Sequence, residues 1–372
     1  MSGRFSEMNR ELSDAELERY SRQVALKEIG YDGQLKLKEA KACILGLGGL
    51  GTPLALNLVA IGVGYIRIVD RDIVSRSDLH RQYIYDEDSI GQPKVEAALR
   101  KLSRLNSDVK LDPFPESLNL TNAEELLGNV DVVLDGLDRV EPRYIVNRAC
   151  NKLKIPYIFG AAIEVFGNAT TIVPGQTACI ECFMPGLRND DLPKCGVVGA
   201  HPSVLSMVSA VQVSEAIRLL TGKEPKLLNK LIYIDLRELT FDIIDLARQE
   251  KCPVCGISPA IAEPLVNQFF EETCARDGRR NFVISPKRRV EINLERLRSI
   301  LIERGFSIKT SGTFGITFKK SGELSISILK SGVMIAQTSP KLSVSPKKEV
   351  IETYKSILVE GLGISTNVLP EA

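Results

Sequence analysis

Short apolar runs alternate with amphipathic stretches between residues 41 and 162. The runs KACILGL, YIRIVD, VKLDPF, VDVVLD and PYIFGAAI are rich in Val and Ile and end at Gly, Pro or an acid, so they read as buried strands. Between them, PLALNLVAIG, the stretch from Pro93, TNAEELLG and RYIVNRACNKLKI carry apolar positions at helical spacing. Pro93 stands at the first turn of its helix, where a missing N–H costs nothing. A strict strand-helix alternation of this kind predicts a doubly wound sheet. Residues 14–39 precede it and read as helix, Gly turn, helix.

After residue 162 the rhythm changes. ATTIVP reads as a strand, followed by CIEC and the polar stretch MPGLRNDDLPKCGVVG. A long helix of small apolar residues, PSVLSMVSAVQVSEAIRLLTG, comes next. LIYIDLRELTFDIIDL reads as two strands, and CPVCG closes the region. The expected organisation is a large domain over 1–256, a linker over 257–280 and a small α+β domain over 281–372. The last contains the strands NFVI, FSIKT, TFGITFKK, ELSISILK and GVMIAQ and two helices.

Composition changes little in this picture. The chain has 372 residues, 44% hydrophobic and 26% charged, with a net charge of +1. No run approaches the ~20 apolar residues of a membrane span, and the polar first residues lack a signal-peptide core. A cytoplasmic location with no membrane partner is expected. The eight cysteines in such a chain argue against a disulfide framework. Cys43 and Cys150 fall on apolar faces and read as core. The charge is uneven: thirteen Lys/Arg face five Asp/Glu between Asn281 and Glu349. A basic module fits an acidic protein partner. Its few aromatics fall at core positions, which makes nucleic acid an unfavoured partner.

The first strand runs into Gly46, Gly48, Gly49 and Gly51 and then a helix. This strand, tight turn and helix N-terminus offers backbone N–H groups and a positive dipole end to an anion. The spacing Gly46-x-Gly48-x-x-Gly51 fits the Rossmann-like dinucleotide fingerprint, and Asp70 ends the next strand where a ribose partner belongs. By itself this favours NAD and an oxidoreductase. The polar stretch after Asp70 carries Asp72, Asp78, Arg81 and Gln82. Lys94 opens the next helix, an unfavourable place for a cation unless a phosphate is near. Asp135 and Asp138 lie at the C-terminal end of a parallel strand, the edge where ligands collect. Cys179-x-x-Cys182 and Cys252-x-x-Cys255 make a four-thiolate set suited to structural zinc, with no open coordination position. Cys195 sits in a polar loop behind Lys194 and before a helix, a setting that lowers a thiol pKa.

Taken together, RYSRQ, GLGGLG, VDRDIVSRSDLHRQ, GQPKVEA, LDGLD, CIEC and CPVCG, in this order over residues 14–256, resemble the ThiF/MoeB/HesA superfamily, which includes ubiquitin-activating enzymes. The resemblance displaces the NAD reading. It implies an α/β, Rossmann-like, mainly parallel sheet that binds ATP and Mg2+, and adenylation of the C-terminal glycine of a ubiquitin-like protein ending in Gly-Gly. It implies that Asp70 holds the ribose, with Asp72 beside it, while Gly46, Gly48 and Gly49 pack on the nucleotide. Arg81, Gln82 and Lys94 hold phosphates, and Asp138 holds magnesium. Arg22 resembles an arginine that crosses from a partner subunit, which implies a homodimer. Cys195 aligns with a loop cysteine that, in some relatives, takes the modifier as a thioester or acyl-disulfide. Asp78 and Arg139 depart from the family pattern, where Asn is usual at both. The absence of cysteine after Cys274 leaves no rhodanese-like loop. The tail domain is similar, in position and size only, to the domain that recruits a conjugating enzyme. The expected activity is therefore conjugation through Cys195. The alternatives are activation of a sulfur carrier for thiamine, molybdopterin or tRNA thiolation, and a non-catalytic partner subunit.

Overall fold

The computed structural model describes residues 11–191, 198–274, 279–321, 324–338 and 346–370. Helices α1 (Asp14–Val24) and α2 (Gly30–Glu39) lead into an eight-stranded sheet ordered β3-β2-β1-β4-β5-β6-β7-β8. Its strands are β1 (Lys41–Leu45), β2 (Tyr65–Val69), β3 (Lys110–Phe114), β4 (Val132–Asp135), β5 (Tyr157–Ile163), β6 (Phe166–Ile172), β7 (Lys230–Asp235) and β8 (Thr240–Asp245). The first five pair in parallel. The remaining three pair antiparallel. The change of rhythm after residue 162 is thus a change of strand direction. Parallel neighbours need a helical crossover, whereas β6 follows β5 by a tight turn.

Helices α3 (Gly51–Ala60), α4 (Lys94–Leu105), α5 (Ala123–Leu127) and α6 (Val140–Leu153) make the crossovers. They divide between the two faces. Leu54, Leu58, Val95 and Leu102 pack with Ile44 and Ile66 on one face, and Leu127, Val146 and Cys150 with Cys43 and Tyr157 on the other. Cys43 and Cys150 are core residues, and burial pushes the Cys43 thiol up to about 12.

A helical turn α7 (Ile180–Phe183) precedes α8 (Pro202–Leu220). Among the described residues α8 is the helix long and apolar enough to cross a membrane. Its polar residues instead stitch it to the sheet. Gln212 Nε2 donates to Asp135 O and Ile158 O at 2.9 and 3.0 Å, and Glu215 accepts from Thr171 Oγ1 at 2.8 Å.

The rest of the chain builds an antiparallel six-stranded sheet ordered β11-β12-β13-β14-β10-β9. Its strands are β9 (Phe270–Cys274), β10 (Arg280–Ile284), β11 (Ser307–Ser311), β12 (Gly315–Ser321), β13 (Leu324–Leu329) and β14 (Met334–Thr338). Helices α9 (Leu294–Glu303) and α10 (Pro346–Lys355) cover one face, burying Leu297, Leu301 and Tyr354 against Phe282, Phe318 and Ile326. The stretch expected as linker contains β9, an edge strand of this sheet. It is also pinned to the large domain: Arg148 Nη1 donates to Glu263 O at 2.7 Å, and Asn267 Oδ1 accepts from Leu120 N at 2.8 Å.

The two sheets meet along the β3 side of the large domain. Ser117 Oγ and Ser285 Oγ lie 2.7 Å apart, and Arg289 pairs with Glu116 at 3.0 Å and Glu125 at 2.7 Å. The hydroxyls of Thr310 and Thr317 both donate to Gly91 O at 2.7 Å.

Candidate active site

The site forms where the sheet reverses its winding, between the C-terminal ends of β1 and β4. Gly46 leaves β1 with φ +86°, and a Cβ on it would stand 2.6 Å from Gly136 O, at the end of β4. A Cβ on Gly51 would stand 1.8 Å from Gly46 O. These two glycines are required by the turn itself. Gly49 is packed under Leu205. Gly48 faces open space, with Gln82 Nε2 the nearest atom at 4.0 Å from a Cβ placed there. Helix α3 then begins with no side-chain cap, so its first N–H groups point toward the crevice as an anion site.

Asp70 closes β2 beneath this turn. Its carboxylate accepts from Leu47 N and Asp72 N, both at 2.6 Å. Burial pushes its pKa up to about 6; neighbouring Asp72 adds to the rise, and Lys94 and the two amides work against it. Lys94 Nζ lies 3.3 Å from Asp72 Oδ2. Burial alone would lower the lysine, but Asp72, Asp70, Asp78 and Asp138 outweigh it and hold the ammonium charged. A buried, fully charged lysine among carboxylates at a helix start suits a phosphate, and the residues present fit a nucleoside triphosphate.

Asp78 organises the next loop. Its Oδ2 accepts from Ser75 N at 2.9 Å and Ser75 Oγ at 2.8 Å, and its Oδ1 accepts from Arg81 Nη2 at 3.1 Å and Gln82 Nε2 at 3.0 Å. The acid is thus paired with the two residues expected to hold phosphate. Gln82 Oε1 is buried with no partner among the described residues.

The four cysteines of the two CxxC pairs also converge. Their sulfurs all lie within 4.8 Å of one another. Cys179 Sγ is 3.6 Å from Cys252 Sγ, and Cys182 Sγ is 3.3 Å from Cys255 Sγ. A tetrahedral ion with ~2.3 Å bonds to sulfur needs edges of about 3.8 Å, so the set fits zinc. Cys179 shares its proton toward Cys182, which raises the former thiol and brings the latter down to about 4. Gln249 N donates to Cys182 Sγ at 3.4 Å. Such donors favour thiolates.

Comparison with known proteins agrees with this geometry. The model of the ThiF family matches residues 20–254. The SAMP-activating enzyme E1 of Haloferax volcanii is 34% identical over 250 residues, covering 67% of this chain and 92% of its own. The adenylyltransferase and sulfurtransferase MOCS3 of Culex quinquefasciatus is 33% identical over 76% of this chain, which spans 65% of that protein's length. A crystal structure of Escherichia coli MccB with ATP superposes with a TM-score of 0.56 at 26% identity, covering 64% of this chain and 74% of that one. The chain belongs to the ThiF family. It is an E1-like adenylyltransferase.

Within this ThiF-family crevice, the two acids after β4 separate in role. Asp135 is fully buried, bonded to Arg143 Nε at 2.9 Å and Tyr157 Oη at 2.5 Å, and braces the strand end. Asp138 is exposed, makes no side-chain hydrogen bond among the described residues, and faces Arg71 and Lys94 electrostatically. It is the acid able to take a cation. Arg22 is exposed on α1, whose neighbours Gln23 and Tyr20 bond to Ile61 O and Asn106 at the opposite end of the sheet. The structure does not bring Arg22 to its own chain's crevice. Cys195 lies outside the described residues.

Sequence reading missed Arg71 and Glu271. Arg71 binds Glu271 through both guanidinium nitrogens at 2.6 Å, and Arg139 binds the same carboxylate. The partner lies 200 residues away, so only the basic residues beside Asp70 and Asp138 could have been noticed.

Proposed function

We propose that the chain, as a homodimer, uses ATP to adenylate the C-terminal glycine of a ubiquitin-like protein, then takes the acyl group as a thioester on Cys195 for transfer to a conjugating enzyme. The observation that carries the first step is the buried, charged Lys94 at the start of α4, beside Asp70 and Asp72, together with the Asp78–Arg81–Gln82 loop. In that step the substrate carboxylate forms a bond to the α-phosphorus while the bond to the β-phosphate oxygen breaks and pyrophosphate leaves. Asp70 orients the ribose through hydrogen bonds. Lys94 and Arg81 offset negative charge that grows on the transferring phosphate, the arrangement that contributes most in such reactions. Asp138, with Asp72 near it, would hold Mg2+, which supplies further charge neutralisation. The position of Arg22 on the far end of the sheet supports its use by the partner subunit. Zinc on Cys179, Cys182, Cys252 and Cys255 is structural in this reading. The six described cysteines outside β9 are unpaired thiols, which supports a reducing, cytoplasmic setting.

The thioester step breaks the acyl–phosphate bond, releases AMP and forms the acyl–sulfur bond at Cys195. A second reading, activation of a sulfur carrier, is supported by the similarity to MOCS3, whose name joins adenylyltransferase and sulfurtransferase.

Exchange of pyrophosphate into ATP, dependent on a Gly-Gly-ended ubiquitin-like protein, tests the first step. Lys94→Ala is expected to reduce it by about 10²- to 10³-fold with the fold kept; retained exchange would overturn the assignment. Non-reducing intact-mass spectra of the native chain and Cys195→Ala test the second. An adduct at the summed mass less water, lost in the variant, supports conjugation. An adduct heavier by one sulfur supports sulfur transfer. Adenylate alone, unchanged by the substitution, removes Cys195 as nucleophile.

A further inference from the structure

The small domain touches three of the segments that build the crevice, each within two residues of a side chain assigned to the site. Arg71 stands between Asp70 and Asp72 and is bonded to Glu271 of β9 at 2.6 Å through each of two nitrogens. Arg139 follows Asp138 and shares the same Glu271 carboxylate, with its other nitrogen on Gln268 Oε1 at 2.7 Å. Glu96 lies two residues after Lys94 in α4 and accepts from Thr313 N at 2.8 Å and Phe314 N at 3.2 Å. The Glu271 side chain is 11% exposed, against 22% and 26% for its two arginines.

One carboxylate therefore ties the loop after β2 to the loop after β4. Those loops flank the turn after β1, so their separation sets the width of the crevice. The Glu271 carboxylate between the two guanidinium groups offsets their mutual repulsion. Arg139 stands where the resemblance leads one to expect Asn, and Glu271 is the compensation that lets an arginine stand beside the cation-holding acid.

We propose that Glu271 is a positioning residue for the adenylation reaction: through Arg71 and Arg139, the small domain sets the spacing of the ribose-binding and cation-binding loops. The proposal rests on the crevice being the nucleotide site. Glu271 does not touch the reacting atoms; it acts through the two arginines. Because binding linkage is reciprocal, nucleotide in the crevice tightens the docking of β9 by the same factor.

The test is calorimetric titration of the full chain with Mg·ATP, alongside steady-state pyrophosphate exchange. Glu271→Gln is expected to weaken Mg·ATP binding about ten-fold, the size of a typical coupling between sites, and to raise KM for ATP while kcat changes less. Glu271→Gln/Arg139→Asn, which removes one of the two cations left without their carboxylate, is expected to recover part of the affinity. That rescue is not expected of a residue that merely supports the fold. Arg289→Ala breaks ion pairs of the same interface away from the crevice and is expected to bind Mg·ATP as the parent does. If Glu271→Gln fails to fold, Glu271→Asp tests the spacing alone: it keeps the charge, withdraws it by one methylene, and is expected to weaken Mg·ATP binding by a smaller factor. Parental binding in the Glu271 variants, with the parent chain binding Mg·ATP, overturns this inference alone. So does equal weakening by Arg289→Ala, which would reduce the effect to loosened docking. Absence of Mg·ATP binding to the parent chain overturns both the inference and the nucleotide reading.

Discussion

Removing metal from the four-cysteine centre should cost the large domain much of its stability and little of its chemistry. The ligand pairs are 73 residues apart in the chain. Cross-linking a loop of that length is worth about 4 kcal/mol in chain entropy. Metal-dependent contacts add to this, because the second knuckle is held by Arg248 Nε on Cys255 O at 2.6 Å and Asn151 Nδ2 on Val254 O at 2.8 Å. A domain of this size stands only ~5–15 kcal/mol above unfolding, so the loss is a large fraction. At roughly 2–4 °C per kcal/mol, the melting temperature should fall by on the order of 10 °C. The assay compares zinc-loaded and chelator-treated protein by calorimetry under reducing conditions, with Cys252→Ser as the genetic counterpart. A four-sulfur set leaves zinc no open position, so pyrophosphate exchange measured well below the lower transition should survive. Equal melting temperatures with and without zinc would refute the staple. Loss of exchange in a chain that is still folded would refute the structural assignment.

Two further outcomes follow from the site. If Arg22 acts across a two-fold dimer, Arg22→Ala and Lys94→Ala chains, each inactive alone, should on mixing and re-equilibration recover about a quarter of parental activity, the statistical share of intact sites; no recovery would mean that Arg22 serves its own chain or none. Asp70, raised to about 6 in the fold from 3.8, keeps a proton that the unfolded chain has already lost. The stability this proton contributes is complete below pH 3.8 and is lost as pH rises through 6. The stability of Asp70→Asn, neutral throughout, should therefore rise relative to the parent's between pH 4.5 and 7.5, by up to about 3 kcal/mol; parallel curves would refute the burial argument.

Local patterns in the sequence determined a good deal. Gly46 and Gly51 reveal the turn because only a residue without Cβ can stand 2.6 Å from Gly136 O or 1.8 Å from Gly46 O, and that demand is met within a few residues. The strand-helix alternation reveals the parallel half of the sheet because crossover connections impose their own spacing. The two CxxC pairs reveal a metal set because each knuckle is local, although their meeting is not. Tertiary structure alone decided what depends on distant partners. Asp135 and Asp138 look alike at the end of one strand. Arg143 and Tyr157 claim the first and leave the second facing the crevice. Asp78 departs from the family pattern, and its bonds to Arg81 and Gln82 direct the acid to those two side chains. Strand β9 read as linker because an edge strand with charged residues lacks an apolar signature of its own, and its pairing with β10 supplies the stability instead. The bond from Glu271 to Arg71 and Arg139 joins segments that share no periodicity or spacing. That pairing depends on how the two sheets pack against each other, which no local pattern specifies.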